Sequence, residues 1–181
     1  MTITVISDID SYNFSKSDNF LLDTNVLLSV YGPNANQERY TQAYSDALMK
    51  MRLCKCMVYI DALVLSEFVN RFAHWAYDQL PPERKPEKFK YYRISEDFKK
   101  VAQEIADDTR RIVDYTTCID SEFGSIDIND LLNEYELGNS DFNDQVISRL
   151  CKRKGYTLVT HDVDFRSNGI NLLTANHRLL R

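Results

Sequence analysis

The chain has 181 residues, of which 44% are hydrophobic and 27% charged, and its formal net charge is −5 at pH 7. This length and composition predict one globular domain, residues 1–181, that is large enough to bury its own core. The acidic balance argues against a generally basic nucleic-acid-binding surface, although a local basic groove remains compatible with it. No apolar run approaches the ~20 residues that a membrane span needs, and the N-terminus lacks a signal-sequence layout.

The four cysteines form no CxxC pair and have no paired histidines near them, so a zinc site is not expected. They are expected to be reduced thiols, mostly buried. Together with the absence of a membrane or export signal, this predicts a cytoplasmic protein.

At the N-terminus, a predicted strand at residues 2–6 is followed by Asp8 and Asp10. A strand followed by Asp-x-Asp resembles the nucleophile loop of haloacid-dehalogenase-like phosphatases, which would make these two acids catalytic. Those enzymes usually carry Thr or Val two places after the second Asp, where this chain has Tyr12. The alternative interpretation is that residues 1–18 form an N-terminal extension with solvated acids.

A buried parallel strand is predicted at residues 19–22. Three consecutive apolar residues end abruptly at Asp23, and a helical apolar pattern restarts within three residues. Asp23 would therefore stand at the carboxyl end of this strand. In open α/β sheets, ligands bind at that edge.

Apolar periodicity and capping residues predict the elements that follow. The predicted helices are 36–53, 63–79, a long helix capped by Ser95, 125–135, and one within 140–155, and the predicted strands are 57–60, 156–160 and 170–174. Residues 77–125 are predicted to be a helical insertion. Alternating helices and strands of this kind predict an α/β fold with a mostly parallel central sheet.

Four acids are expected at one edge of this sheet. Asp23 and Asp162 follow strands, Glu67 lies near the start of a helix after a strand, and Asp144 lies in the first turn of the helix that leads to Asp162's strand. Parallel α/β connectivity alone brings these positions to the carboxyl edge.

A cluster of carboxylates destabilises the fold unless a cation neutralises it. Oxygen ligands without His or Cys suit Mg²⁺ or Mn²⁺, and one or two such ions can activate water and stabilise a leaving oxyanion. The predicted reaction is phosphodiester hydrolysis, with Lys or Arg nearby to hold flanking phosphates.

Several motifs resemble those of the PIN domain, and together they span about residues 19–175. Residues 21–27 (Leu-Leu-Asp-Thr-Asn-Val-Leu) are similar to its opening motif, and Ser66-Glu67-Phe68 is similar to its second acidic position. Residues 144–147 followed by 155–165 are similar to its third and fourth, with acid, helix, Gly, strand, Thr-x-Asp and Asp-Phe in that order.

The resemblance implies a three-layer α/β/α sandwich with metal-dependent nuclease activity, usually on RNA. Many bacterial PIN domains are VapC-like toxins that a small antitoxin protein neutralises, and a homodimer is a further possible assembly. By this resemblance, the catalytic, metal-binding acids of the chain would be Asp23, Glu67, Asp144 and Asp162. The implied auxiliary residues are Asp141, Asp164, Thr160 and Asn25.

Some features leave other interpretations open. Residues 77–125 make the chain longer than a minimal VapC-like toxin, and a PIN-like fold could also be an inactive binding module. Asp23 could only cap a helix, and Glu67 could only pair with Arg71 one turn on. Asp141 and Asp144 have the spacing of a helix cap and its reciprocal partner, and Asp164 could cap a turn.

A mainly basic link at residues 83–93 has interleaved aromatic residues. Its cations Lys85, Lys88, Lys90 and Arg93 could bind RNA phosphates while its rings stack on bases. The alternative is a solvated connection whose aromatic side chains pack on the core. Elsewhere, His161 is the one of the three histidines that could lie near the substrate, because it precedes Asp162.

Overall fold

A computed structural model describes residues 4–33, 35, 40–138 and 140–181. Its centre is a six-stranded sheet. The strands are β1 Ile6–Asp8, β2 Asn19–Leu22, β3 Met57–Asp61, β4 Thr117–Ile119, β5 Thr157–Val159 and β6 Asn171–Thr174. They lie in the order β1-β6-β5-β2-β3-β4, and every pairing is parallel. The sheet's carboxyl edge is therefore a single edge.

Helices connect the strands. They are α1 Thr24–Tyr31, α2 Thr41–Leu53, α3 Ala62–Asp78, α4 Phe89–Arg93, α5 Glu96–Tyr115, α6 Ile128–Glu136 and α7 Phe142–Lys154. Because parallel crossovers are right-handed, the helices between β2, β3 and β4 lie on one face, and those between β4 and β5 lie on the other. The predicted three-layer α/β/α fold is confirmed, and its sheet is parallel throughout.

The core lies on both faces of the two central strands. Phe20, Leu21 and Leu22 of β2 are fully buried, as is Leu158 of β5. A continuous apolar run suits a strand that helices cover on both sides. Burying one such Leu side chain contributes roughly 1.5–3 kcal/mol to the free energy of folding. The buried run therefore fixes the position of β2 and places Asp23 directly after its last residue.

The structure differs from the sequence-based expectations mainly at short elements. The first strand is Ile6–Asp8 rather than residues 2–6, and residues 2 and 3 lie outside the described part of the chain. The helix predicted from residue 36 is Thr41–Leu53, and residues 36–39 are likewise outside the description. Among the described residues, no helix is long and apolar enough to span a membrane.

Two elements within residues 77–125 were not predicted. α4 forms in the basic link, where its Phe89 and Tyr92 contact Phe98 of α5. β4 pairs with β3 in register, with Ile60 opposite Cys118. Both segments are too short to show apolar periodicity. Their structure also depends on the neighbouring element that they pack against.

Candidate active site

Asp23 is the most firmly held carboxylate at the carboxyl edge, and only 6% of its surface is exposed. Its backbone N–H donates to the Val159 carbonyl at 3.1 Å, which ties the end of β2 to β5. Its Oδ1 accepts from the backbone N–H of Thr24 at 2.6 Å. Its Oδ2 accepts from Asn25 Nδ2 and from Thr160 Oγ1, each at 2.6 Å. Asp23 caps α1, and side chains from two elements hold it in place.

Glu67 lies in the second turn of α3 and faces the start of α1. Its Oε2 accepts from Thr24 Oγ1 at 3.2 Å, and its Oε1 pairs with Arg71 Nη1 at 3.3 Å. The helical pair that the spacing suggested is therefore present. With 55% of the Arg71 side chain and 36% of the Glu67 side chain exposed, this pair contributes at most about 1 kcal/mol.

Asp162 follows β5 and is bonded to the same threonine as Asp23. Its backbone N–H donates to Thr160 Oγ1 at 2.9 Å. Its Oδ1 accepts from the backbone N–H of Asp164 at 2.9 Å, so Asp162 caps the 3-10 helix Val163–Ser167. Asp164 itself is exposed in the first turn of that helix.

Asp141 and Asp144 occupy different positions at the start of α7. Asp141 is exposed and caps the helix, because its Oδ1 accepts from the backbone N–H of Asp144 at 2.9 Å. Asp144 is half-buried. Within the described part of the chain, no group donates a hydrogen bond to the Asp144 carboxylate. Asp144 is thus the acid whose side chain remains available to a ligand.

The acids lie close enough to affect one another electrostatically. Burial raises the pKa of Asp144 to about 8, and the negative charges of Asp141, Asp23, Asp162 and Glu67 add to the effect. Burial also raises the pKa of Asp23 to about 6, against the lowering effect of its hydrogen bonds from Thr160 and Thr24. The four positions predicted from the sequence therefore form one electrostatic cluster.

The chemistry of the four acids suits a hard divalent cation, because they offer only carboxylate oxygens as ligands. Across residues 4–33, 35, 40–138 and 140–181, no three His, Cys, Asp or Glu side chains are arranged as a ready-made metal site. The carboxylates therefore interact electrostatically but do not form a closed set of ligands. Asp23, Glu67, Asp144 and Asp162 are the residues that would hold the ion.

His161 is fixed beside the acids by a network that the sequence did not predict. Its Nδ1 lies 2.8 Å from the Tyr44 hydroxyl, its backbone N–H donates to Asn25 Oδ1, and its carbonyl accepts from Asn176 Nδ2. Its ring stacks on Tyr40 with 3.7 Å between centroids. Burial lowers the pKa of His161. Tyr44 has the spacing of a core residue in the predicted helix 36–53, and no sequence signal marks its hydroxyl.

The cations of the basic link do not join the acids. Lys85 pairs with Asp78 at 2.9 Å and lies over the Tyr77 ring, while Lys90 lies over Tyr91. Asp78 is 11 positions beyond Glu67 on α3, a distance of about 16 Å along the helix axis.

The remaining two cations of this link, Lys88 and Arg93, are exposed. A role for the four cations in RNA binding stays a prediction.

Asp8 and Asp10 also lie apart from the four acids. Asp8 ends β1 and Asp10 follows it, three strand positions from β2, which corresponds to about 14 Å across the sheet. The Asp10 backbone N–H donates to Asp8 Oδ1 at 3.1 Å. Asp8 and Asp10 therefore form a local turn at the far end of the carboxyl edge.

Comparison with known proteins identifies the family of the chain. The model of the PIN domain family matches residues 20–171, a range that contains all four acids and excludes Asp8 and Asp10. The chain therefore belongs to the PIN domain family, as its motifs suggested. PIN domains are typically metal-dependent nucleases. No curated protein matches the chain.

Two solved structures share the fold. One is VapBC2 from Rickettsia felis bound to a DNA fragment from its promoter, with 15% identity and a TM-score of 0.54 over 86% of this chain and 97% of that chain. The other is PAE2754 from Pyrobaculum aerophilum, with 12% identity and a TM-score of 0.52 over 93% of this chain and 92% of that one. At these identities the likeness concerns the fold.

Proposed function

We propose that this protein is a Mg²⁺- or Mn²⁺-dependent endoribonuclease that hydrolyses RNA phosphodiester bonds. The observation that supports it most strongly is the convergence of Asp23, Glu67, Asp144 and Asp162 at the carboxyl edge of one parallel sheet, close enough for the other three to raise the pKa of Asp144. Such a cluster costs folding free energy, and a fold retains it where a cation or a reaction needs it. Membership of the PIN family also supports the proposal, because PIN domains are typically metal-dependent nucleases.

The residues around the cluster have distinct roles in this proposal. Asp23 is the fixed ligand, because Thr24, Asn25 and Thr160 hold both of its oxygens in place. Thr160 also accepts from the Asp162 backbone N–H, so one hydroxyl positions two acids.

Asp144, which accepts no hydrogen bond from the described residues, is the ligand that adjusts. When bound, one or two divalent ions would offset the carboxylate charge, lower the pKa of an attacking water and stabilise the leaving oxygen.

The test is incubation of the purified chain with mixed RNA in Mg²⁺ or Mn²⁺, with an EDTA control. We expect internal cleavage that EDTA abolishes. Asp144→Asn should abolish cleavage without loss of fold. Absence of cleavage with either ion across neutral pH would leave an inactive binding module, and hydrolysis restricted to p-nitrophenyl phosphate would favour the Asp8/Asp10 phosphatase.

We further propose that the chain is the toxin of a toxin–antitoxin pair. The resemblance to VapC-like toxins and the likeness in fold to VapBC2 support this proposal. The partner would be a small antitoxin protein that lays an apolar helix in a groove between α2 and α3 and reaches the acids with a basic side chain. A cytoplasmic location and a homodimer belong to the same proposal.

Expression of the chain alone should slow growth and degrade RNA, whereas expression of Asp144→Asn should do neither. Normal growth with intact RNA at high expression of the active chain would contradict the toxin role. A nuclease that is active in vitro but harmless in cells would instead have an RNA-processing role.

A further inference from the structure

A cavity of about 320 Å³ opens directly beside the acids, between α1, α3 and the segment after β5. Its lining residues include Asn25, Arg71 and His161. Asn25 bonds to Asp23, Arg71 pairs with Glu67, and His161 precedes Asp162 in the chain. A ligand in this cavity would therefore be continuous with a phosphate held at the acids.

Three of the residues that line the cavity are aromatic. Trp75 and Tyr40 line it together with His161, whose ring stacks on Tyr40 at 3.7 Å with 30° between the planes. The His161 ring cannot turn freely, because its Nδ1 bonds to Tyr44 and its backbone bonds to Asn25 and Asn176. The His161 ring of this tilted pair is therefore held in place before any ligand arrives.

One face of α3 connects the acids to these aromatic residues. Glu67, Arg71 and Trp75 follow one another at four-residue intervals, so they lie in successive turns on the same side of the helix. A carboxylate, a guanidinium and an indole are thus arranged in a row that leads away from Asp23. This order suits a chain whose phosphate lies at the acids and whose flat, uncharged ring lies further out.

We propose that this cavity binds an unpaired nucleobase of the RNA, seated against Tyr40, His161 and Trp75 with Arg71 beside the adjoining phosphate. The assignment rests on the proposed function for the identity of the substrate. Every base has a π-face, and stacking on aromatic side chains is how proteins bind single-stranded nucleic acid without reading its sequence. A base within a duplex is stacked on its neighbours and cannot enter such a cavity.

The polar groups in its lining favour a base over the antitoxin as the cavity's ligand. A protein helix docked between α2 and α3 needs an extended apolar groove. This cavity instead has a guanidinium and an amide among its lining residues, contributed by Arg71 and Asn25. Binding of a peptide there is an outcome that the following test distinguishes.

Trp75 makes the test direct, because it is the single tryptophan of the chain and it lines the cavity. The full chain in Mg²⁺ is titrated with adenosine 5′-monophosphate and, separately, with ribose 5-phosphate, while Trp75 fluorescence is recorded. The two compounds share the sugar and the phosphate, and only the first has a base. Neither contains a phosphodiester bond, so the readout is independent of cleavage.

We expect saturable quenching by adenosine 5′-monophosphate and none by ribose 5-phosphate at the same concentration. His161→Ala and Tyr40→Leu should each weaken the nucleotide's binding by about tenfold, the size expected for loss of one stacking contact. The matched control is Tyr135→Leu, which removes a tyrosine that is 52% exposed on α6 and does not line the cavity. It should leave the titration unchanged.

Equal responses to the two compounds, or no response, would overturn the proposal. Quenching that is unaltered in both His161→Ala and Tyr40→Leu would also overturn it. So would quenching by an apolar, basic peptide in place of the nucleotide, which would assign the cavity to a protein partner.

The outcome is separable from that of the RNA assay. RNA cleavage without any base-dependent quenching would contradict the nucleobase-binding proposal and leave the proposed function intact. Base-dependent quenching without RNA cleavage would contradict the proposed nuclease function and leave nucleobase binding intact.

Discussion

Two carboxylates of the cluster differ in how the protein holds them. Asp23 accepts hydrogen bonds from Thr24, Asn25 and Thr160, whereas Asp144 accepts none from the described residues. Hydrogen bonds to a carboxylate favour its charged form, and burial beside other acids disfavours it. The pKa of Asp23 therefore rises only to about 6, and that of Asp144 rises to about 8. The folded protein therefore disfavours the charged form of Asp144 more than that of Asp23, and burial is the main cause.

This difference predicts how stability depends on pH in EDTA. The pKa of Asp144 is raised from 3.8 to about 8 in the folded protein, so the unfolded chain loses this proton at lower pH than the folded one. Asp144 should therefore reduce stability progressively from about pH 4 to about pH 8.

Thermal unfolding of Asp144→Asn and of the wild type, measured across this range, should show a melting-temperature advantage of the variant that widens as the pH rises. A constant difference would contradict the account.

Thr160 offers a second prediction at the residue scale. Its buried hydroxyl donates to Asp23 and accepts from the backbone of Asp162. Thr160→Val keeps the shape and removes both bonds, so RNA cleavage should fall about 10–100-fold, as for other outer partners of metal ligands.

Thr117→Val on β4 is the matched control, because Thr117 is an exposed threonine of the same sheet. Equal cleavage rates in the two variants would show that Thr160 does not position the acids.

At the scale of elements, the two ends of α7 determine the positions of Asp144 and Asp162. Asp141 caps its start, and Gly155 ends it in the left-handed conformation with φ 70°. This turn leads directly into β5 and so to Asp162. An Asp cap and a Gly stop are signals that a sequence shows plainly, and they explain why this helix was predicted nearly to the residue.

Gly155→Ala should destabilise the protein by roughly 1–2 kcal/mol, the cost of a left-handed non-glycine residue. For a chain of this size that corresponds to a fall of about 2–8 °C in melting temperature. An added Cβ meets no atom within 4 Å at Gly155 or at Gly124, so contacts do not contribute in either case.

Gly124→Ala is therefore the matched control, because Gly124 does not have a positive φ. Equal melting temperatures would contradict the assigned role of Gly155.

Some parts of the site could not be predicted from the sequence because they depend on contacts between distant elements. The bond between Tyr44 and His161 joins residues 117 positions apart, and Tyr44 has the spacing of an ordinary core residue. β4 is three residues long and is a strand only because it pairs with β3. The positions of the acids, by contrast, follow from the order of strands and helices, which the apolar patterns reveal.

At the scale of the whole molecule, one parallel sheet accounts for the convergence of the four acids. Each lies at the end of a strand or in the first turns of a helix, and a parallel sheet brings those places to one edge. We propose that residues 1–181 form a single domain. β1, from the N-terminal segment, and β4, from residues 77–125, both pair into this sheet.

Binding of Mn²⁺ to the purified chain, measured by titration calorimetry, tests most directly whether the four acids form one metal centre. We predict that Asp144→Asn weakens Mn²⁺ binding by at least about tenfold. Asp141→Asn should keep an affinity close to that of the wild type, because Asn is also a good helix cap. Wild-type Mn²⁺ affinity in Asp144→Asn, or a loss confined to Asp141→Asn, would contradict the account.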